Sequence, residues 1–283
     1  MSPSVPRIAL IGAPTDIHSS FLRGTASAPP LIRAALASDH ANSFAESGAE
    51  IGVDILIDDV GDLPLTESLS DDAVIEAAVG KAAYSGAMPL VLGGDHAISF
   101  PVVAALAAIH GPLNILHFDA HPDLYDDFEG DPRSHASPFA RIMEAGHALR
   151  LVQVGIRTLN RHCREQIERF GVEVIEMRDF AIGAVPILDG PLYISIDMDG
   201  FDPSVAPAVS HLEPGGLMTR DVLNVLTRQT APLAGADIVE LNPLRDINGM
   251  TAILAAKLVR ELAALRLRNG GAMQRIDHRA GVA

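Results

Sequence analysis

Short apolar runs alternate along the chain with longer segments in which polar residues recur. Met88–Leu92, for example, is a compact apolar run that ends at two glycines, which is typical of a strand buried on both faces. The same pattern predicts eight strands: Arg7–Gly12, Val53–Val60, Met88–Leu92, Leu113–Asp119, Leu149–Val154, Glu173–Met177, Leu192–Ile196 and Gly235–Leu241.

Seven helices are predicted in the segments that separate and follow these strands. Pro29 and Pro30, and the acidic pair Asp71 and Asp72, are residues that favour a first helical turn, where they suit the free N–H groups and the helix dipole. The last helix is expected to be amphipathic. The predicted helices are Pro29–Ser38, Asp71–Tyr84, Ser99–Ile109, Phe139–Ala145, Asn160–Phe170, Asp221–Arg228 and Met250–Leu267.

Strands that alternate with helices at this spacing indicate one parallel sheet that is covered by helices on both faces. We therefore predict an α/β protein, a single-domain three-layer α/β/α sandwich with a parallel central sheet of about eight strands. Residues 1–268 are assigned to this domain. The Gly-rich, charged segment 269–283 is predicted to be a mobile C-terminal tail.

Composition restricts the partners and the compartment. The chain of 283 residues has a net charge of −15, which argues against nucleic acid or an anionic membrane as a partner and suits a small cationic substrate. It has no apolar stretch of about eighteen residues, so no membrane span is expected. The single cysteine, Cys163, suits a reducing compartment, and the N-terminus lacks the features of a secretory signal. A cytoplasmic location is therefore expected.

The segment Asp119-Ala-His-Pro-Asp123 carries the strongest chemical signal. Alternate side chains of an extended segment point the same way, so Asp119, His121 and Asp123 can converge on one point. A bound cation would stabilise two carboxylates and an imidazole on one patch. A strand end that enters a polar loop would explain one such pair, but the same chemistry recurs at other strand ends.

Two further predicted strand ends carry metal-competent side chains. His96 follows a Gly-Gly-Asp turn, and Asp197 and Asp199 are again two residues apart. The combined set of four carboxylates and two imidazoles, without a thiolate, favours Mn²⁺ or Mg²⁺ over Zn²⁺. Six ligands are many for one ion and fit two, which can share and activate a water.

Five motifs of this chain resemble those of the ureohydrolase family of arginases and agmatinases. They occur in the family's order and span nearly the whole chain. They are Gly-Gly-Asp-His-Ala-Ile-Ser (93–99), Asp-Ala-His-Pro-Asp (119–123), Ser-His-Ala-Ser-Pro-Phe (134–139), Ser-Ile-Asp-Met-Asp-Gly-Phe-Asp-Pro (195–203) and Val-Glu-Leu-Asn-Pro (239–243).

The resemblance implies an arginase-type fold, two Mn²⁺ ions per chain and hydrolysis of a guanidino group to urea and an amine. His135 matches a family histidine that relays protons to and from the departing amine, and Glu240 matches the glutamate that pairs with the guanidinium. Asp123 is expected to serve catalysis as well as metal binding. A homo-oligomer, a trimer or hexamer, is also implied. The metal ligands carried over by motif are His96, Asp119, His121, Asp123, Asp197 and Asp199.

Departures from the family pattern bear on the substrate. Animal-type arginases carry an Asn, two residues beyond the metal motif, that helps to hold the substrate carboxylate, whereas this chain has Tyr125. The stretches Asp-Leu-Tyr-Asp-Asp-Phe-Glu-Gly (123–130) and Val-Ser-His-Leu-Glu-Pro-Gly-Gly (209–216) resemble plant-type arginases instead. Ser137 and His211 are candidate contacts for the far end of the substrate, and for His211 a role in filling its loop is equally open.

L-Arginine is the predicted substrate, with L-ornithine and urea as products. Agmatinase activity, which converts agmatine to putrescine and urea, and hydrolysis of another guanidino acid are the alternatives within the family. Outside it, a metal-dependent amide hydrolase is less compatible with Glu240. An inactive metal-binding scaffold is less compatible with a complete set of six ligands.

Overall fold

The computed structural model describes residues 5–270. Residues 1–4 and 271–283, the latter holding most of the predicted tail, lie outside the described residues. The strands are β1 (Arg7–Ala13), β2 (Leu56–Asp62), β3 (Met88–Gly93), β4 (Leu113–Phe118), β5 (Ala148–Ile156), β6 (Glu173–Glu176), β7 (Leu192–Asp197) and β8 (Leu233–Val239). They form one parallel sheet in the order β2-β1-β3-β8-β7-β4-β5-β6.

Within residues 5–270, seven α-helices cover the two faces of this sheet. They are α1 (Ala28–Leu36), α2 (Asp71–Ser85), α3 (Ser99–His110), α4 (Pro138–Glu144), α5 (Arg161–Phe170), α6 (Thr219–Arg228) and α7 (Met250–Arg268). The α1, α6 and α7 helices pack on one face, and α2 to α5 pack on the other. The predicted three-layer α/β/α fold with an eight-stranded parallel sheet is therefore confirmed. None of the helices within residues 5–270 has the length and apolarity to cross a membrane.

Strand β1 shows how the sequence pattern builds the two layers. Its alternate residues point to opposite faces of the sheet. Ile8 and Leu10 join the apolar cluster under α1, α6 and α7, whereas Ala9 and Ile11 join the cluster under α2 to α5. Because both faces are covered, β1 has no polar alternation and is read as a continuous apolar run.

Helix α7 differs from the amphipathic helix that the sequence predicts. It packs against α1, α6 and β8, so little of its surface remains exposed. Even Arg260 and Glu261 are buried. Glu261 accepts a hydrogen bond from the backbone N–H of Glu46 at 3.0 Å, and the ammonium of Lys257 lies 3.0 Å from the same oxygen. Burial on several sides is a tertiary effect, which the residue pattern of one helix does not reveal.

The order of the strands positions the candidate site. The chain passes from β3 to β4 and leaves two places between them, which β7 and β8 later fill. Because all strands are parallel, the segments that follow β3, β8, β7 and β4 meet at one edge of the sheet. Asp197 ends β7, and His96, Asp119 and Glu240 follow the other three strands.

Gly94 allows these segments to lie in direct contact. A Cβ atom at Gly94 would lie 1.7 Å from the carbonyl oxygen of Thr15, so no larger residue fits. The Gly94 N–H donates to Ala13 at 3.1 Å, and its carbonyl accepts the N–H of Glu240 at 2.8 Å. This glycine therefore holds the ends of β1, β3 and β8 together behind the candidate site.

Candidate metal centre and substrate cavity

The carboxyl ends of β3, β4 and β7 surround one imidazole nitrogen with carboxylates. Nδ1 of His96 lies 3.3 Å from Asp119 Oδ2, 3.0 Å from Asp123 Oδ2 and 3.1 Å from Asp197 Oδ2. All four side chains are buried. Their ligand atoms lie within 4.8 Å of one another, a spacing that one cation can bridge.

A second ligand group shares Asp119 with the first. Nδ1 of His121 lies 3.1 Å from Asp199 Oδ2 and 3.5 Å from Asp119 Oδ1. Asp119 thus turns one carboxylate oxygen to each group. The structure therefore brings the six ligands predicted from the sequence into two groups that one carboxylate joins.

The position of the proton on His96 follows from its hydrogen bonds to β7 and β8. Nε2 of His96 lies 2.9 Å from Ser195 Oγ, and Ser195 donates its hydroxyl proton to Asp237 Oδ1 at 2.6 Å. Since Ser195 can then only accept from His96, we infer that the ring proton is on Nε2. Nδ1 keeps its lone pair and has no hydrogen-bond partner of its own. This nitrogen is therefore ready to bind a cation.

Burial and mutual repulsion disfavour the ionised forms of two of these carboxylates, Asp197 and Asp199. Burial and the neighbouring carboxylates of Asp199 and Asp119 raise the pKa of Asp197 well above its ordinary value. Burial also raises the pKa of Asp199 to about 6, although His121 opposes the shift. A divalent cation would stabilise the ionised forms of both. The residues present therefore fit a metal centre with oxygen and imidazole ligands.

Two residues that sequence reasoning missed orient Asp119. His117 Nε2 lies 2.8 Å from Asp119 Oδ2, and His117 Nδ1 lies 3.1 Å from the side-chain amide nitrogen of Gln153. Because the Gln153 amide donates to Nδ1, His117 donates from Nε2 to the carboxylate. His117 and Gln153 face each other in the register of β4 and β5. Only that strand pairing reveals the contact, since each residue alone is one polar position in an apolar strand.

Removal of the Ser195 hydroxyl is expected to weaken metal binding about 10–100-fold, the scale for partners that orient a metal-binding histidine. In Ser195→Ala, Nε2 of His96 loses its acceptor, so the ring is no longer held in one tautomer. Tyr193→Phe is the matched control, because the Tyr193 hydroxyl also donates to Asp237 but does not contact His96. Calorimetric titration of both variants with Mn²⁺ provides the measurement, and equal affinities would contradict the role of Ser195.

A cavity of about 200 Å³ opens beside the two ligand groups. Its volume is below the roughly 300–1,000 Å³ of pockets for drug-sized ligands, so it suits a small metabolite. Asp123, His135 and Glu240 line it. Asp123 and Glu240 have positive φ angles of 50° and 63°, which are uncommon for residues other than glycine. Such backbone strain is typical of residues that the fold holds in place for function.

Glu240 and His135 form a buried pair in the cavity wall. Glu240 Oε1 accepts the backbone N–H of His96 at 2.9 Å and lies 2.8 Å from His135 Nδ1. Burial disfavours both charges, but mutual attraction lowers the pKa of Glu240 and raises the pKa of His135 to about 9. Oε1 makes both bonds, which leaves Oε2 for a ligand in the cavity.

His211 lies in the wall of the cavity. Its ring centroid is 5.6 Å from that of His121, 5.7 Å from that of His135 and 5.5 Å from that of Phe21. Burial and the two neighbouring histidines lower the pKa of His211, so its ring is neutral at neutral pH. A neutral imidazole at this position can donate one N–H to a ligand.

The other residues that the sequence analysis singled out occupy different positions. Tyr125 and Cys163 line the cavity, and Tyr125 accepts a hydrogen bond from Asn160 at 2.5 Å. Ser137 is fully buried next to the start of α4, its hydroxyl has no hydrogen-bond partner, and it is absent from the cavity lining. Its contact with substrate stays a prediction that the lining does not support.

This combination of fold and side chains matches one known family. The family model described as "Arginase family" matches residues 6–264, nearly the whole of the described chain. The chain therefore belongs to the arginase family, whose members are metal-dependent hydrolases.

Individual relatives agree with this assignment. Arginase 1, mitochondrial, of Arabidopsis thaliana is 52% identical over 274 residues, which cover 90% of this chain and 80% of that protein. Agmatinase, mitochondrial, of Gallus gallus is 33% identical over 274 residues, with 90% and 79% covered. The solved structure of arginase from Medicago truncatula has a TM-score of 0.87 and 48% identity, and the match covers 93% of this chain and 88% of that one.

The cytoplasmic location expected from the sequence is wrong by this comparison. The Arabidopsis relative is named mitochondrial, and its sequence is similar over most of this chain. The expectation rested on a single cysteine and on the lack of secretory features. Both are equally compatible with the reducing interior of an organelle, so neither distinguishes it from the cytoplasm.

Proposed function

We propose that this protein is an arginase, which hydrolyses the guanidino group of L-arginine to give L-ornithine and urea. The observation that carries the proposal is the convergence of two metal-ligand groups and the buried carboxylate of Glu240 on one small cavity. The higher identity to a plant arginase than to an animal agmatinase supports arginine as the substrate.

Two Mn²⁺ ions are the proposed cofactors. Oxygen-rich ligand sets with some imidazole and no thiolate favour this metal over Zn²⁺. When bound, such ions supply positive charge and a water nucleophile at neutral pH. One ligand set would be His96, Asp119, Asp123 and Asp197, and the other Asp119, His121 and Asp199.

Glu240 is proposed to bind the substrate guanidinium. Its carboxylate is buried and kept ionised by His135 and by the backbone N–H of His96, so it can attract a cation into the cavity. Since Oε1 already accepts two hydrogen bonds, the guanidinium would pair with Oε2. These hydrogen bonds favour contact of the guanidinium with one carboxylate oxygen instead of both. This contact would turn the guanidino carbon toward the ligand groups.

His135 is proposed to deliver a proton to the departing amine nitrogen. The amine leaves as the C–N bond of the guanidino group breaks, and protonation makes it a better leaving group. Glu240 holds Nδ1 of His135, so proton exchange falls to Nε2. Glu240 therefore has two roles, one toward the substrate and one toward the histidine.

The far end of the substrate is proposed to meet His211 and Tyr125, which line the same cavity. Arginine presents an α-carboxylate there, and agmatine does not. A buried donor that is left without a carboxylate partner disfavours binding of agmatine, which lacks the α-carboxylate. His211 would therefore contribute to selection of arginine over agmatine.

We expect the Mn²⁺-loaded protein to release urea from L-arginine with a higher kcat/KM than from agmatine. His211→Ala is expected to lower the ratio of kcat/KM for L-arginine to kcat/KM for agmatine by about tenfold or more. This is the scale of one buried hydrogen bond to a charged group. Urea release is measured on each substrate separately. A preference for agmatine would overturn the substrate and leave the reaction class intact, whereas no urea from either would overturn the proposed function.

A homo-oligomer built from trimers is proposed from the family resemblance. Light scattering at micromolar concentration should then give a multiple of the chain mass of 29.9 kDa. A mass equal to one chain would contradict it.

A further inference from the structure

Ser20 contacts the one ring nitrogen of His135 that the mechanism needs. The backbone N–H of Ser20 donates to His135 Nε2 at 3.1 Å, and the Ser20 hydroxyl oxygen lies 2.8 Å from the same atom. The other ring nitrogen, Nδ1, is bonded to Glu240 at 2.8 Å. Both nitrogens of His135 are therefore occupied by protein groups, and neither is free to bond directly to a leaving amine.

The two contacts from Ser20 favour different protonation states of His135. A backbone N–H can only donate, so it pairs with an unprotonated Nε2. A hydroxyl can donate or accept, so it can also pair with Nε2 when that atom carries a proton. The Ser20 hydroxyl can therefore accept a hydrogen bond from Nε2 when His135 is protonated and donate one when His135 is neutral. The backbone N–H keeps Ser20 next to Nε2.

Ser20 is held in this position by a loop that is anchored on both sides. The N–H of His18 donates to the buried Asp95 carboxylate at 3.0 Å, and the His18 ring lies 2.7 Å from Asp131 Oδ2. The N–H of His135 itself donates to the carbonyl of His18 at 3.1 Å. The loop that carries Ser20 and the loop that carries His135 are therefore tied together, and Ser20 lines the cavity beside His135.

We propose that the Ser20 hydroxyl relays protons between His135 and the cavity, an inference that rests on the proposed function. In the forward step the Nε2 proton of His135 passes to Ser20 Oγ, and the Ser20 hydroxyl proton passes to the departing amine nitrogen. His135 becomes neutral, the amine gains one proton and Ser20 is unchanged. The serine forms no covalent bond with the substrate at any stage.

Ser20→Ala tests the relay, because it keeps the backbone N–H and removes only the hydroxyl. We expect kcat to fall about tenfold or more, within the range of lost proton-transfer catalysis, with KM changed less than about twofold. Bound Mn²⁺ should be unchanged by elemental analysis. Ser20→Thr keeps a hydroxyl and should recover most of kcat, and Ser19→Ala, whose hydroxyl does not contact His135, is the control that should match the unaltered protein.

A double variant tests whether Ser20 acts through His135. In Ser20→Ala/His135→Ala the loss of kcat should equal the loss in His135→Ala alone, since the relay has no partner left. The proton inventory, which is the dependence of kcat on the D₂O fraction of H₂O/D₂O mixtures, should be curved in the unaltered protein, because the relay transfers two protons. It should be linear in Ser20→Ala, because one of these transfers is lost.

The outcomes separate this inference from the proposed function. All variants are assayed on whichever of arginine and agmatine the unaltered protein hydrolyses faster, so a wrong substrate does not affect the comparison. The relay is overturned by unchanged kcat in Ser20→Ala, by Ser20→Thr that is as slow as Ser20→Ala, or by multiplicative losses in the double variant. Failure of the unaltered protein to release urea from either substrate overturns both the function and the relay.

Discussion

Replacement of Asp119 by asparagine is expected to remove bound metal and to lower turnover by about 10³-fold or more. Among the described residues, Asp119 is the one that turns an oxygen to each ligand group, so both groups lose a carboxylate in this variant. Metal charge is worth several kcal/mol of transition-state stabilisation, and each 1.4 kcal/mol corresponds to a factor of ten in rate. Elemental analysis of Mn²⁺ and the urea assay provide the two measurements.

Asp58→Asn is the matched control for this prediction. Asp58 is a partly exposed carboxylate on the edge strand β2, where it pairs with Arg7 at 2.5 Å. It lies in the strand and outside the cavity, so its loss should change neither metal content nor rate. If Asp119→Asn retained two ions per chain and normal turnover, the assignment of both ligand groups would fail.

Substitution of His135 by alanine is expected to keep the metals and to lower kcat by about 10²-fold or more, the scale of general acid–base catalysis. The ring makes hydrogen bonds to Glu240 and Ser20, and its contact with the ligand groups is indirect. Glu240 keeps its hydrogen bond from the backbone N–H of His96 in this variant, so guanidinium binding should change less than the rate. Steady-state kinetics with L-arginine, together with elemental analysis, provide the measurement.

His147→Ala serves as its control, because His147 lies just before β5, at the amino edge of the sheet and far from the cavity. Its substitution should leave kcat unchanged. A His135→Ala variant with unaltered kcat would remove His135 from the mechanism, and a variant that lost its metal would show that His135 supports the centre instead.

Most of the fold could be predicted because the central strands are buried on both faces. β3, β4 and β7 are short apolar runs whose residues are all buried. The prediction was weaker at β2, which lies at the edge of the sheet and begins at Leu56, three residues after the predicted Val53. Edge strands are half exposed, and hydrogen bonds of the preceding turn, from Gly52 to Ile55 and from Asp54 to Glu50, decide where such a strand begins.

The candidate metal ligands were visible in the sequence because Asp119, His121 and Asp123 recur at every second position. Their predicted convergence on one point was wrong: β4 ends at Phe118, and Asp123 and His121 belong to different groups that share Asp119. His117, Gln153, Ser195 and Asp237 were missed for the opposite reason. Each is one polar residue within an apolar strand, and it acquires a role only through a neighbouring strand or a ligand that it supports.

The sequence by itself determined the layered fold and the chemical types of the ligands, since burial patterns and local spacing are properties of short segments. The tertiary structure decided which atoms meet. The strand order placed β8 and β7 between β3 and β4, so that Glu240 came to lie beside His96 although 144 positions separate them. It also placed Ser20 against His135 and left Ser137 buried outside the cavity. Contacts at such separations depend on the packing of whole elements, which no local pattern encodes.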